Sequence, residues 1–285
     1  MSGRTIQLVA IGTLLAGTLV AESRKEYHFN VGSKAGVSVN NPYGSISVKP
    51  STGNTVIINA VLHSDRVEVD NNQSGNHIEI QSHLLKGADA MTGRVDYEIL
   101  VPADASITLH SSTGPLRAEK LHGDMTLEGA GATVDVRDVS TGHVHVKTVN
   151  GPVTLTNVQN GNVEVDSLSG DVTLDQVNGP LVQVISTSGR INYAGDFGSS
   201  GEYRLTSHSG DIEATVPDGT SADVSARSVK GEVHDDVHLQ PKSHTWFPIQ
   251  EGRTFVGTMG RAAVSSTVVL RSFSGKIHLR KRSAK

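Results

Sequence analysis

Between Gly114 and Gly231 a glycine followed by an apolar-polar-apolar triplet returns every nine or ten residues. The cleanest units begin Gly151-Pro-Val-Thr-Leu, Gly161-Asn-Val-Glu-Val and Gly170-Asp-Val-Thr-Leu. No window of that spacing holds a 3.6-residue apolar period free of glycine, so the pattern predicts short strands and tight turns in place of helices. The triplets run from Leu116-Arg-Ala and Met125-Thr-Leu through Val163-Glu-Val to Tyr203-Arg-Leu and Ile212-Glu-Ala, and the middle residue is polar in each. Alternation of period two therefore puts the outer two side chains on one face, the core, and the middle one in solvent. A third apolar position precedes the next turn at Leu121, Val139, Val149, Val158, Leu168 and Val177. It is expected to close the core at the corner, with the glycines supplying the positive φ of the turns.

One such unit buries almost nothing alone, so units must stack and share both hydrogen bonds and an apolar face. Pairs of units repeat more regularly than single ones: Gly123, Gly142, Gly161 and Gly179 are 19, 19 and 18 residues apart. The expected fold is all-β, a single-chain β-solenoid resembling a parallel β-helix, with about 19 residues and two main strands per coil. An antiparallel β-sandwich or meander is the alternative, because four-residue turns also serve hairpins. Around the regular array of residues 111–231, residues 24–110 read as a less regular β region continuous with the solenoid. Residues 232–262 read as an excursion without alternation, and residues 263–285 as terminal strands and a basic tail.

The N-terminus carries a compartment signal. Arg4 precedes an apolar run from Ile6 to Val20, and small residues at Ala21 and Ser23 suit cleavage, so residues 1–23 read as a secretory signal peptide. The run is shorter than the roughly 20 residues a spanning helix needs, and the mature chain is not expected to be an integral membrane protein. Its destination is then periplasmic or extracellular. With no cysteine there is no disulfide and no thiolate metal site. A net charge of -4 provides no basic field for a nucleic-acid partner.

Candidate chemistry is sparse. His234, Asp235, Asp236 and His238 form the densest group of metal-ligating side chains, in the excursion, and His143 and His145 share a strand face. A site also needs convergent ligands and a supporting shell, and no metal or other cofactor is expected. Asp124, Asp171 and Asp211 follow turn glycines, but Pro152, Asn162 and His143 occupy equivalent places, which breaks any calcium ladder. Asp135 and Glu164 are the mid-array carboxylates at outward positions, the pair a glycosidase or lyase would need. For recognition, Trp246, Phe247 and Phe255 concentrate aromatic surface in a chain with 4% aromatic residues, and they serve equally as a cap for the solenoid.

Asn40-Asn-Pro-Tyr-Gly-Ser-Ile-Ser-Val, Ile99-Leu-Val-Pro-Ala-Asp-Ala, the Gly-Asp-Val-Thr-Leu units and Leu270-Arg-Ser-Phe-Ser-Gly-Lys-Ile-His-Leu together span nearly the whole mature chain. In these motifs the chain resembles bacterial exported β-strand-repeat proteins provisionally named adhesins, a family with a domain of unknown function. The resemblance implies a β-helix-like fold at the cell envelope and transfers no catalytic residue. The expected function is a non-enzymatic exported envelope module, structural or adhesin-like, whose partner is an unidentified envelope protein or glycan. A polysaccharide-acting β-helix enzyme is the alternative.

Overall fold

The computed structural model describes residues 22–237, 239–241, 252–260 and 265–282. Within them the chain forms 25 strands and no helix, arranged as one sheet of 12 strands and a second of 13. The chain alternates between the sheets. Val134–Ser140, Val153–Gln159 and Val172–Asn178 lie side by side in the first, while His143–Thr148, Asn162–Ser167 and Leu181–Ser186 do so in the second. Their ladders are parallel and in register: Val134 faces Val153, Val153 faces Val172, and Val172 faces Ile191, each 19 residues further on. The coil length and the parallel stacking read from the glycine spacing are both present, and antiparallel pairing is confined to the outermost strands.

Both outer side chains of each triplet enter the space between the sheets. Val163, Val172, Leu174, Val182 and Val184 have no exposed surface, and Val165 keeps 1%. Burying one such side chain contributes roughly 1.5–3 kcal/mol, and the parallel register sums that term coil after coil. Where the coil lengthens between Val182 and Tyr203, the added volume is filled by Tyr193, Phe197 and Tyr203, whose ring centroids lie 4.8–5.9 Å apart. The buried Tyr193 hydroxyl donates toward the carbonyls of Val177 and Asp196, 3.0 and 2.9 Å away.

The two corners are built differently, which corrects the expected role of the third apolar position. Leu121, Val139, Val158 and Val177 are buried, but Val149 and Leu168 stand 43% and 51% exposed. In Val134–Ser140 and its two stacked successors the residue before the corner valine takes a left-handed conformation, at Asp138, Asn157 and Gln176 (φ 54° in all three). This bulge resets the alternation and turns the following valine inward. The second sheet has no such bulge. There the alternation continues into Thr148, Ser167 and Ser186, which are buried and donate their hydroxyls to the carbonyls of Gly151, Gly170 and Gly189 at 3.0, 2.6 and 2.9 Å. The next residue must then point out.

Most glycines of the repeating turns answer to contact and not to positive φ, which is found at Gly114, Gly198 and Gly219. Gly151, Gly170, Gly189 and Gly210 have ordinary φ, but a Cβ at Gly170 would lie 2.0 Å from the carbonyl oxygen of Gly151, and one at Gly189 would lie 2.1 Å from that of Gly170. Backbone stacks on backbone there, and only hydrogen fits.

At each end one coil is inserted out of sequence order, one coil inward from the outermost. Gly36–Asn40 and Ile46–Pro50 lie between the coil containing Ser106–Ser111 and the coil containing His77–Leu84 and Val95–Val101. At the other end Ser266–Ser272 and Ile277–Lys281 lie between Glu202–Ser207 with Ile212–Val216 and Ala222–Ser228 with Val233–Asp235. Antiparallel strands finish both sheets at one end, Ser23–Asn30 and Val67–Ser74; at the other, Thr254–Met259 and Gln240–Pro241 finish the second sheet, while the first ends in the short parallel strand Val233–Asp235.

Candidate functional site

The excursion cluster is divided among separate tasks. Asp235 accepts hydrogen bonds from the amides of Val237 and Leu239 at 2.9 and 2.8 Å, which shapes the chain as it leaves the last strand. Asp236 pairs with His278 at 2.7 Å, and His234 pairs with Glu232 at 3.2 Å. His238 lies outside the described residues, as do Trp246 and Phe247. Among the described residues no group of three or more histidine or carboxylate side chains is placed to hold a metal ion. Phe255 sits on Thr254–Met259, half-buried against the core at the C-terminal end.

Asp135 and Glu164 project from different sheets, and so from opposite outer faces of the solenoid. They cannot flank one glycosidic bond. Asp135 is held by Arg137 at 2.8 Å, and Glu164 lies 4.0 Å from His143. His145 in turn lies 3.7 Å from Asp166, so the two histidines belong to a face of cross-strand charge pairs. The turn aspartates bind backbone: Asp124, Asp171 and Asp211 accept from the amides of His143, Arg190 and Lys276, one coil away, at 3.0, 2.8 and 2.7 Å. The basic tail is docked along the first sheet, with Arg280 2.9 Å from Glu213 and Arg282 3.8 Å from Asp175.

The surface feature that these pairings leave unexplained is the second-sheet corner. Ala130, Val149, Leu168, Thr187, His208, Phe273 and Val229 occupy one position in successive coils, tied in line by the amide of each bonding to the coil before it. Val149, Leu168 and the adjoining Ile185 (45% exposed) border a shallow apolar depression of about 490 Å³ whose rim carries Glu128, Lys147 and Asp166. On the other side of the ridge Ser169, Ser188 and Ser209 fold their hydroxyls onto the carbonyls of Val149, Leu168 and Thr187. The flank is low and the apolar side chains protrude. Sequence alone assigned Val149 and Leu168 to the core; the signal that separates them is a serine or threonine three residues before the turn glycine.

The coil grammar, from the first inserted coil to the last, matches the family model of Toastrack DUF4097 over residues 37–281. This chain belongs to the Toastrack family. The Toastrack match begins in Gly36–Asn40 and ends at the last residue of Ile277–Lys281, so it takes in both inserted coils and leaves Ser23–Asn30 outside. No curated protein matches the sequence. Among solved structures, a protein from Clostridium sporogenes ATCC 15579 provisionally named for cell adhesion matches at 13% identity with a TM-score of 0.34, over 91% of this chain and 100% of that one.

Proposed function

We propose that this Toastrack chain is an exported, non-enzymatic module of the cell envelope, a rigid scaffold that meets a partner along one corner. The observation that carries the reading is the cluster of Val149, Leu168 and Ile185, three large apolar side chains exposed side by side around one depression. The apolar run Ile6 to Val20 behind Arg4 supports export. An adhesin-like role fits the same geometry, because the inward positions are uniform while the outward ones vary freely.

Expression of the full chain with a C-terminal tag, followed by fractionation and N-terminal sequencing, tests export. The expected product begins near Glu22 to Arg24 and is found outside the cytoplasm; an unprocessed cytoplasmic chain would refute the reading. Retention on envelope material should fall when Leu168→Asp and Ile185→Asp are combined, with the circular dichroism spectrum unchanged. Polysaccharide turnover that disappears in Asp135→Asn or Glu164→Gln would overturn the non-enzymatic part.

A further inference from the structure

The same corner carries a second anomaly. Arg227 and Arg271 stand directly opposite each other on neighbouring strands, both exposed. Like charges in that position destabilise a sheet. Two more cations lie beside them. Lys230 has its Nζ 4.7 Å from the centroid of the Phe273 ring, and Arg253 Nη1 donates to the carbonyl of Val229 at 3.4 Å. Among the described residues none of the four has a carboxylate at ion-pair distance, and the four lie together where other unpaired cations, such as Arg117 and Arg190, are scattered over the solenoid. In a chain of net charge -4 this concentrates positive field at one edge.

The cations and the apolar ridge are continuous. Arg227 and Arg271 occupy the row that carries Ile185 and Asp166 in earlier coils, and Phe273 and Val229 extend the line of Val149 and Leu168. From Ala130 to Val229 the ridge crosses six coil spacings, about 29 Å at the ~4.8 Å separation of neighbouring strands. Phe273 does not offer a sugar a free ring face, because His208 stacks on it at 4.9 Å and Lys230 lies over the ring. On the acidic part of the rim, Glu128 is within 3.8 Å of Lys147. A straight edge with Val149, Leu168 and Ile185 at one part, Phe273, Val229 and cations without an ion pair among the described residues at the other, and Thr187 and His208 between, combines the two attractions of a protein that lies on a membrane: apolar burial at the level of the headgroups and charge against anionic lipid.

We propose that this corner is a membrane-surface edge, with Val149, Leu168, Ile185 and Phe273 entering the headgroup region of an anionic bilayer while Arg227, Arg271, Lys230 and Arg253 engage its phosphates. The inference rests on the binding reading above and names the partner.

The test is co-sedimentation of the chain from Glu22 onward, which contains every described strand and leaves out the apolar leader, with vesicles of phosphatidylglycerol and phosphatidylcholine in equal parts. Binding is expected to those vesicles, to be weakened by salt, and to be lost on pure phosphatidylcholine. Arg227→Glu with Arg271→Glu should lower the partition coefficient by about tenfold or more. Leu168→Ser with Ile185→Ser should lower the part that survives in high salt. All four positions are exposed, so unchanged circular dichroism and melting are the folding control. Absence of vesicle binding, or binding indifferent to both pairs, would overturn the proposal. So would binding to dextran sulfate that needs the arginines and not Leu168 and Ile185, which assigns a soluble polyanion. A concentration-dependent dimer abolished by the apolar pair, without vesicle binding, would overturn it in favour of a second copy. Failure on vesicles with normal export leaves the envelope-module reading standing, whereas failure of export removes the setting for both.

Discussion

Gly170→Ala isolates the contact on which the stacking depends. The added methyl would lie 2.0 Å from the Gly151 carbonyl oxygen and 2.7 Å from its carbon, both backbone atoms that no side-chain rotation can move. Relief requires the two coils to separate by more than 1 Å, roughly, if an ordinary van der Waals gap is to be restored. The hydrogen bonds nearest the contact that cross that seam or close its turn include three: Ser169 amide to Val149 carbonyl at 2.8 Å, Val153 amide to Asp171 carbonyl at 2.9 Å, and Ser167 hydroxyl to Gly170 carbonyl at 2.6 Å. At about 0.5–1.5 kcal/mol each, weakening all three costs about 2–4 kcal/mol, set against about 0.4–1 kcal/mol gained from a less flexible unfolded chain. A net destabilisation of about 2–3 kcal/mol is expected. The control is Gly53→Ala, where a Cβ would meet nothing within 4 Å and φ is not positive, so the change should be neutral or slightly stabilising. Urea unfolding by circular dichroism, with amide exchange to locate the opening because long arrays need not unfold in two states, measures both. Equal midpoints for Gly170→Ala and Gly53→Ala would refute the argument that backbone contact selects glycine in the column.

Val165→Asp places a carboxyl in the core at a site 1% exposed and should destabilise by several kcal/mol, at least ~3, while Glu164→Ala, facing out beside it, should change little; similar unfolding midpoints would contradict the register. Gln176→Gly, at φ 54°, removes left-handed strain of roughly 1–2 kcal/mol against an unfolded-state cost of roughly 0.5–1, so it should be neutral to about 1 kcal/mol stabilising, and a clear loss of stability in thermal melts would count against the bulge. Burial raises the Asp96 pKa, but the amide and hydroxyl of Ser45 with His63 and Arg94 outweigh it and hold the group at about 2. A depressed carboxyl contributes stability above its unfolded value and loses it as pH falls from about 4 toward 2, so Asp96→Asn should cost about 1–2 kcal/mol at neutral pH, allowing for solvent screening, and almost nothing at pH 2. Urea titrations at the two pH values decide it, and a penalty independent of pH would show that the carboxylate charge is not what matters.

The core of the fold was legible because period-two alternation admits one inward set once strands are granted, and the triplets around Val144, Val163 and Val182 all landed inside. The corners were not, because Val149 and Val158 look alike as an apolar residue before a turn. What separates them is the conformation of the preceding residue: Asn157 in the left-handed region shifts the parity, and Thr148, bonded to Gly151, keeps it. The order of coils at the ends was hidden for a related reason. Val268 and Leu270 face inward like the outer residues of any other triplet, although Val269 stands where the others have a polar residue, and a parallel ladder accepts the strand wherever a free edge exists, so its place between Glu202–Ser207 and Ala222–Ser228 depends on pairings far apart in the chain. The lipid-facing edge needed the three-dimensional stack, because Arg227 and Arg271 are separated by the excursion in sequence and become neighbours only through that insertion.

The insertion also bears on which surface can act. A solenoid presents open strand edges at its ends, and those edges are the natural places for one copy to add to another. Here antiparallel strands finish three of the four sheet edges, the fourth being the three-residue Val233–Asp235, and the outermost strand of the first sheet at the other end, Ser23–Asn30, carries Arg24, Lys25, Glu26 and His28. Charged edge strands resist further pairing, and the out-and-back path locks each outer coil against one about 40–50 residues away in sequence. With the ends closed and the two outer faces laced by cross-strand ion pairs, lateral contact along a corner is the mode of engagement the architecture leaves open. Of the two corners, the bulged one buries its apolar residue, and the serine-threonine one turns it outward, where the proposed contact would form.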